Sequence, residues 1–193
     1  MREALSLFTI GHSTHSFERF LALLSGAGVK AVADVRTAPH SRFCPQFNKA
    51  RLDEALRAAG LSYVFLGKEL GGRPTDPELY RDGIADFECM AESAAFREGI
   101  ERVIAEAREH RIVLMCSEKH PLDCHRCLLA ARALAARGVG VQHILPDGAL
   151  ISQNEIEKQL LAGGEDDLFA PREERLAAAY RARARKVAFA RTA

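Results

Sequence analysis

Five short apolar runs, at residues 7–10, 29–35, 61–66, 112–116 and 139–145, alternate with longer amphipathic stretches. This alternation constrains the fold more than any other feature of the chain. The runs are short and rich in β-branched and aromatic residues, as buried strands are. The intervening stretches carry apolar residues at helical spacing. Phe17, Phe20, Leu21 and Leu24 follow Ser16, and Leu52, Ala55 and Leu56 follow Asn48, each polar residue standing where a helix N-cap belongs. Ile100, Val103, Ile104 and Ala107 share a face in residues 96–109. A strand followed by a helix returns the chain to start a parallel neighbour through a right-handed crossover. Such a sheet must be covered on both faces.

Further helices are predicted over 121–137, with Pro121 at the first helical position and Gly138 as terminator, over 153–161, and through the basic C-terminal residues. Residues 67–92 are irregular, with Gly71-Gly72, Pro74 and Pro77 as breakers and a short helix expected around 80–90. The reading is one three-layer α/β domain with a mainly parallel, roughly five-stranded sheet, Rossmann-like or flavodoxin-like. It spans residues 1–165, with a basic helical extension over 166–193.

Composition bounds the setting. Hydrophobic residues make up 48% of 193, enough for a substantial core, yet no apolar run reaches the eighteen residues of a membrane span. The start MREALSLFTIGH lacks the apolar segment of a signal peptide, so a cytoplasmic location is expected and no membrane partner. Five cysteines, an odd number in such a chain, are expected as thiols rather than as a disulfide framework. The net charge of +1 names no partner, but residues 171–193 hold seven basic residues against two acidic ones. A nucleic-acid or other acidic partner is one reading of that tail, and a solvated helix face is the plainer one. Nothing in the sequence indicates an oligomeric partner.

In an open parallel sheet, ligands bind beyond the carboxyl ends of the strands. Polar residues collect there after four of the five runs. The first leads into Gly11-His12-Ser13, the second into Asp34, Arg36, Ser41 and Arg42, the third into Lys68-Glu69 and Gly71-Gly72-Arg73, and the fourth into CSEKHPLDCHR. The fifth leads only into Pro146-Asp147-Gly148.

In this order, GHS, DVR, SR-x-x-P-x-F, LGG and C-x-E-x(5)-CHR resemble the family catalogued as domain of unknown function 488, over residues 8–145. The resemblance implies a compact α/β domain and brings no settled reaction. Cys44 and Cys127 fall outside the motifs and are not counted as site residues.

The chemistry must therefore come from the residues. Cys116 stands where a strand ends, and Cys124, His125 and Arg126 stand near a helix start, where the macrodipole favours thiolates and anions. Cys116, Glu118, Cys124, His125 and Asp34 are the candidates for nucleophile and proton transfer. His12, Ser13, Arg36, Ser41, Arg42 and Arg126 are the candidates for holding a ligand. The plainer alternatives are a packed thiol at Cys116, a tight turn at Gly11-His12-Ser13, and a structural pair of Asp34 with Arg36.

Several familiar chemistries fit poorly. The phosphatase motif C-x(5)-R meets Leu122 where its arginine belongs. No glycine-rich dinucleotide fingerprint or P-loop is present, which argues against NAD-dependent dehydrogenases and P-loop ATPases. Zinc at His12, Cys116 and Cys124 or His125 is a minor alternative, and the sequence requires no cofactor. The expectation is an enzyme, a hydrolase or transferase, acting on an anionic nucleotide-like or nucleic-acid substrate. The alternative is a non-catalytic ligand-binding module or a thiol or metal sensor.

Overall fold

The computed structural model describes residues 5–163 and 170–191. The expected boundary between residues 165 and 166 lies outside the described residues. The elements are β1 (Ser6–Gly11), α1 (Phe17–Gly26), β2 (Ala31–Asp34), α2 (Lys49–Ala58), β3 (Ser62–Phe65), β4 (Tyr80–Arg81), β5 (Ile84–Ala85), α3 (Phe87–Glu92) and α4 (Ala94–Glu109). There follow β6 (Ile112–Cys116), α5 (Arg132–Ala135), β7 (Gly140–Ile144), β8 (Leu150–Ser152), α6 (Gln153–Ala162) and α7 (Arg172–Val187).

The three-layer α/β class is as expected. The main sheet has six strands rather than five, in the order β3-β2-β6-β1-β7-β8. All neighbours pair parallel except β7 and β8. Ranked along the chain the order is 3-2-4-1-5-6, which differs from the two common doubly wound orders. It puts the end of β6 directly beside the end of β1, with Gly11 opposite Cys116.

Alternation along the central strands sorts the core into two layers. Ile112, Leu114 and Cys116 of β6 pack with Phe96, Ile100 and Val103 of α4, and with Leu128, Leu134 and Tyr180. Val113 and Met115 point the other way, onto Phe20 and Leu24 of α1 and Leu52 and Leu56 of α2. Side chains of this size each contribute about 1.5–3 kcal/mol when fully buried. β6 is buried at all five positions, so the strand that delivers Cys116 is anchored along its whole length.

Three local expectations are corrected. Tyr80 to Ala85 forms a hairpin, not the start of a helix, because Asp82 and Gly83 both take positive φ (52° and 76°), as a two-residue primed turn requires. Pro146-Asp147-Gly148 is a turn, but it leads into an unexpected strand: Gly148 at φ 99° turns the chain back into the antiparallel β8. Residues 121–137 are not one helix. A 3-10 turn, Pro121–Asp123, ends at Cys124, which is extended (φ −143°, ψ 140°). A π-helical turn, Arg126–Ala131, then runs into α5. The break lets Cys124 turn its sulfur to the end of β6, which a continuous helix would not allow. Wide turns of this kind recur at functional sites.

The basic C-terminal helix is packed rather than free. Tyr180 of α7 is buried, accepting a bond from Gln153 Nε2 at 2.5 Å and donating to Glu157 at 3.2 Å. Gln153 Oε1 in turn accepts from His143 Nε2 at 2.7 Å. Arg183 pairs with Asp123, Arg185 with Asp82, and Arg172 with Glu157. Beyond α7, Ala85 donates to the Phe189 carbonyl (2.9 Å) and Arg191 to that of Gly83 (2.8 Å), so the tail extends the hairpin. Among the described residues, no helix is long and apolar enough to cross a membrane.

Candidate functional site

The end of β6 and the turn after β1 are joined by their backbones. His12 N–H donates to the Cys116 carbonyl at 2.8 Å, and Ser13 N–H to that of Ser117 at 3.0 Å. The approach depends on Gly11, where a Cβ would stand 1.9 Å from the Glu118 carbonyl oxygen. Arg126, fully buried, donates through Nη1 to the Glu118 carbonyl (2.6 Å) and through Nη2 to that of Lys119 (3.3 Å). Its guanidinium thereby holds the loop.

The loop so fixed turns four reactive groups onto one point. Glu118 Oε2 lies 2.9 Å from the Cys116 sulfur and 3.0 Å from the Cys124 sulfur. His125 Nδ1 lies 3.8 Å from each sulfur. His125 Nε2 donates to the Val35 carbonyl at 3.0 Å, which aims the Nδ1 edge at the thiols. Gly72 makes room for that ring, since a Cβ there would sit 2.7 Å from Nδ1. Glu118 is exposed as a residue, while its Oε2 turns inward to the two sulfurs.

The charges of this group depend on one another. Burial pushes both thiols up, and Cys116 stays well above the usual thiol value. Cys124 is nevertheless held well below it, by the bond from Cys116, the Arg126 guanidinium and His125. Burial, then the Cys124 sulfur, raise Glu118. Burial pushes His125 down, but Cys124 and the Val35 bond raise it overall. Protons thus favour Cys116, Glu118 and His125 over Cys124.

A second polar group lies on the opposite face of the sheet. Asp34 is fully buried, with its carboxylate accepting from Arg36 Nε (2.8 Å), Arg36 Nη2 (2.6 Å) and the Tyr63 hydroxyl (2.8 Å). Arg36 also reaches the Phe47 carbonyl (2.8 Å) and His12 Nε2 (3.2 Å). His12 Nδ1 donates to the Ser13 carbonyl at 2.8 Å, and the ring stacks on Phe47 at 4.3 Å. Burial, then Arg36, push His12 down to about 4. Asp34 and Arg36 therefore have a complete set of structural partners.

A polar cavity of about 560 Å³ opens over the first group. Its wall includes Arg36, Ser41, Cys116, Glu118, Cys124 and His125 among the expected residues, and His40, Gly72, Arg73 and Phe189 besides. Ser41 shapes the rim, its Oγ accepting from the backbones of Phe43 (3.1 Å) and Cys44 (3.2 Å). Arg42 is exposed and lies outside the wall, as do His12, Ser13, Asp34 and Arg126. The stretch from Val187 to Ala190 closes one side, with Arg73 stacked over Phe189 at 4.8 Å. No sequence signal pointed to that wall. Cys127 turns away, toward His143 and Gln153, and burial pushes its thiol up to about 12.

The fold and site define a three-layer α/β protein with a thiol, imidazole and carboxylate cluster at the carboxyl end of its central strands. The chain belongs to the family described as domain of unknown function DUF488, whose model matches residues 16–133. No curated protein and no solved structure is matched.

Proposed function

We propose that this protein is an enzyme that acts on a small anionic molecule held in the cavity over Cys116, Cys124, His125 and Glu118. The observation that carries this reading is the convergence of these four groups on the wall of a substrate-sized polar cavity. Ligand sites typically enclose about 300–1,000 Å³. A nucleophile, an imidazole and a carboxylate within reach of one another are the components of acyl, phosphoryl or related group transfer.

The preference for an anion rests on Arg73. It lies on the cavity wall, and among the described residues no carboxylate pairs with it. Asp123, also on the wall, is already neutralised by Arg183. A small molecule is favoured over nucleic acid because Arg172, Arg183 and Arg185 of α7 are engaged in pairs within the chain.

The test is a calorimetric and thermal-shift screen with small phosphate esters, nucleotides and carboxylates, followed by product analysis on every binder. At least one anion should bind, and Arg73→Ala should weaken it about tenfold, or about 1.4 kcal/mol. Glu118→Gln should keep binding and lose turnover. Absence of any anion binding would sink the reading; binding without turnover by any binder would leave a ligand-binding module instead.

A further inference from the structure

We infer that Cys116, Cys124 and His125 form a zinc site of three protein ligands, with its remaining position turned to the cavity beside Glu118. The inference deepens the proposed function, since it concerns the same cavity, but it stands on separate geometry. The two sulfurs and His125 Nδ1 all lie within 4.8 Å of one another. Zinc sits about 2.3 Å from a thiolate and about 2.0–2.1 Å from an imidazole nitrogen, so a tetrahedral S···N edge is about 3.6 Å. The two observed S···N separations are both 3.8 Å. The third edge, between the sulfurs, is within 4.8 Å, against about 3.8 Å in a tetrahedral site, so an ion fits between these atoms with sulfur movements of at most about an ångström.

The surroundings are those a metal-bound histidine needs. A ligating imidazole donates its second N–H to a fixed acceptor, which sets its tautomer and direction. His125 does so to the Val35 carbonyl at 3.0 Å. Gly72 leaves the Nδ1 edge uncovered. The backbone N–H of Arg126 points at Cys124 Sγ at 3.4 Å, as amides do toward a bound thiolate. Three ligands are held by rigid parts: the last residue of the central β6, the break before the π-helical turn, and a ring tied to the residue after β2.

Charge favours the same occupant. Two buried thiolates and a dication sum to zero, which removes the cost of burying either sign alone. Glu118, adjacent, is offset by the buried Arg126. Binding releases the protons held on the ligand atoms into solvent and involves no electron transfer. Soft sulfur with imidazole selects zinc over calcium or magnesium, and three protein ligands leave a position for water or substrate. Cys127, tied to His143 and Gln153, takes no part.

The full chain, purified without chelators, should carry about one zinc per molecule by elemental analysis. Replacement with Co²⁺ should give a thiolate-to-cobalt charge-transfer band and the intense visible bands of a tetrahedral ion. Cys116→Ser, Cys124→Ser and His125→Ala should each weaken zinc at least about a hundredfold in a chelator competition. Cys127→Ser should bind as the unaltered protein does. A chain with no zinc, which also takes up Co²⁺ without the charge-transfer band, would overturn the inference even if no variant folded. Zinc retained by Cys116→Ser and Cys124→Ser alike would overturn it too. Anion binding by a metal-free chain would keep the proposed function and remove the zinc; zinc without anion binding would do the reverse.

Discussion

Acid should unfold this protein steeply, and His143 should account for a separable part of the slope. The ring is fully buried between β1, β7 and α6. Thr9 Oγ1 lies 2.7 Å from its Nδ1, and its Nε2 donates to Gln153 Oε1 at 2.7 Å. Both nitrogens are satisfied in the neutral ring. Burial, despite the Gln153 bond, lowers its pKa from 6.5 to about 4. The unfolded chain takes up the proton near the ordinary value, while the folded chain does not until much lower pH. Stability is therefore complete above the unfolded value and is lost as pH falls toward the folded one. Each pH unit in that window removes about 1.4 kcal/mol, and the whole shift about 3 kcal/mol, a large part of a typical total. The assay is urea unfolding of the unaltered protein and of His143→Gln at several pH values across the window. Glutamine can still bond Thr9 and Gln153 but cannot titrate. Its plot of stability against pH should be flatter by about 1.4 kcal/mol per unit, whatever its stability at neutral pH. Equal slopes for the two proteins would refute the reasoning.

Further outcomes follow from the loop and its supports. Arg126→Met leaves the Glu118 and Lys119 carbonyls without their donor and should cost about 3 kcal/mol in chemical unfolding; a loss under about 1 kcal/mol would show that the loop stands without it. Gly72→Ala places a methyl against His125 and should cost about 1–3 kcal/mol while shifting the His125 ring resonances; unchanged resonances would contradict the contact. Asp34→Asn strands the buried Arg36 charge and should cost about 3–5 kcal/mol, against about 1 kcal/mol for Tyr63→Phe, which removes one hydrogen bond. Equal losses would mean that Arg36 does not depend on Asp34.

The apolar runs and the strand-end rule made the layers, the parallel sheet and the convergence of Cys116, Glu118, Cys124 and His125 legible. What they missed has physical reasons. Asp82-Gly83 and Asp147-Gly148 are hairpin signals in plain view, the first masked by the helix that follows it and the second by the three-residue length of β8. The break at Cys124 was hidden because apolar spacing over a six-residue π-helical turn is too short to separate from an α-helix. Asp34 and Arg36 do share a side, but Asp34 is in register with Met115, so it faces away from Cys116. That parity depends on the strand order, which no local pattern carries. The wall at Val187–Ala190 depends on tertiary packing of α7, and its composition alone does not reveal it.

One backbone carbonyl links the two polar groups. Val35 lies between Asp34 and Arg36 in the chain, and its oxygen receives the His125 proton. Anything that reorients the His125 ring must therefore act on the peptide that positions the Asp34–Arg36 pair behind the sheet. Whatever free energy an occupant of the front site transmits through that peptide, a change at the rear pair must return in equal measure. Substitutions at Tyr63 or His12, neither of them on the cavity wall, would reach His125 through that peptide.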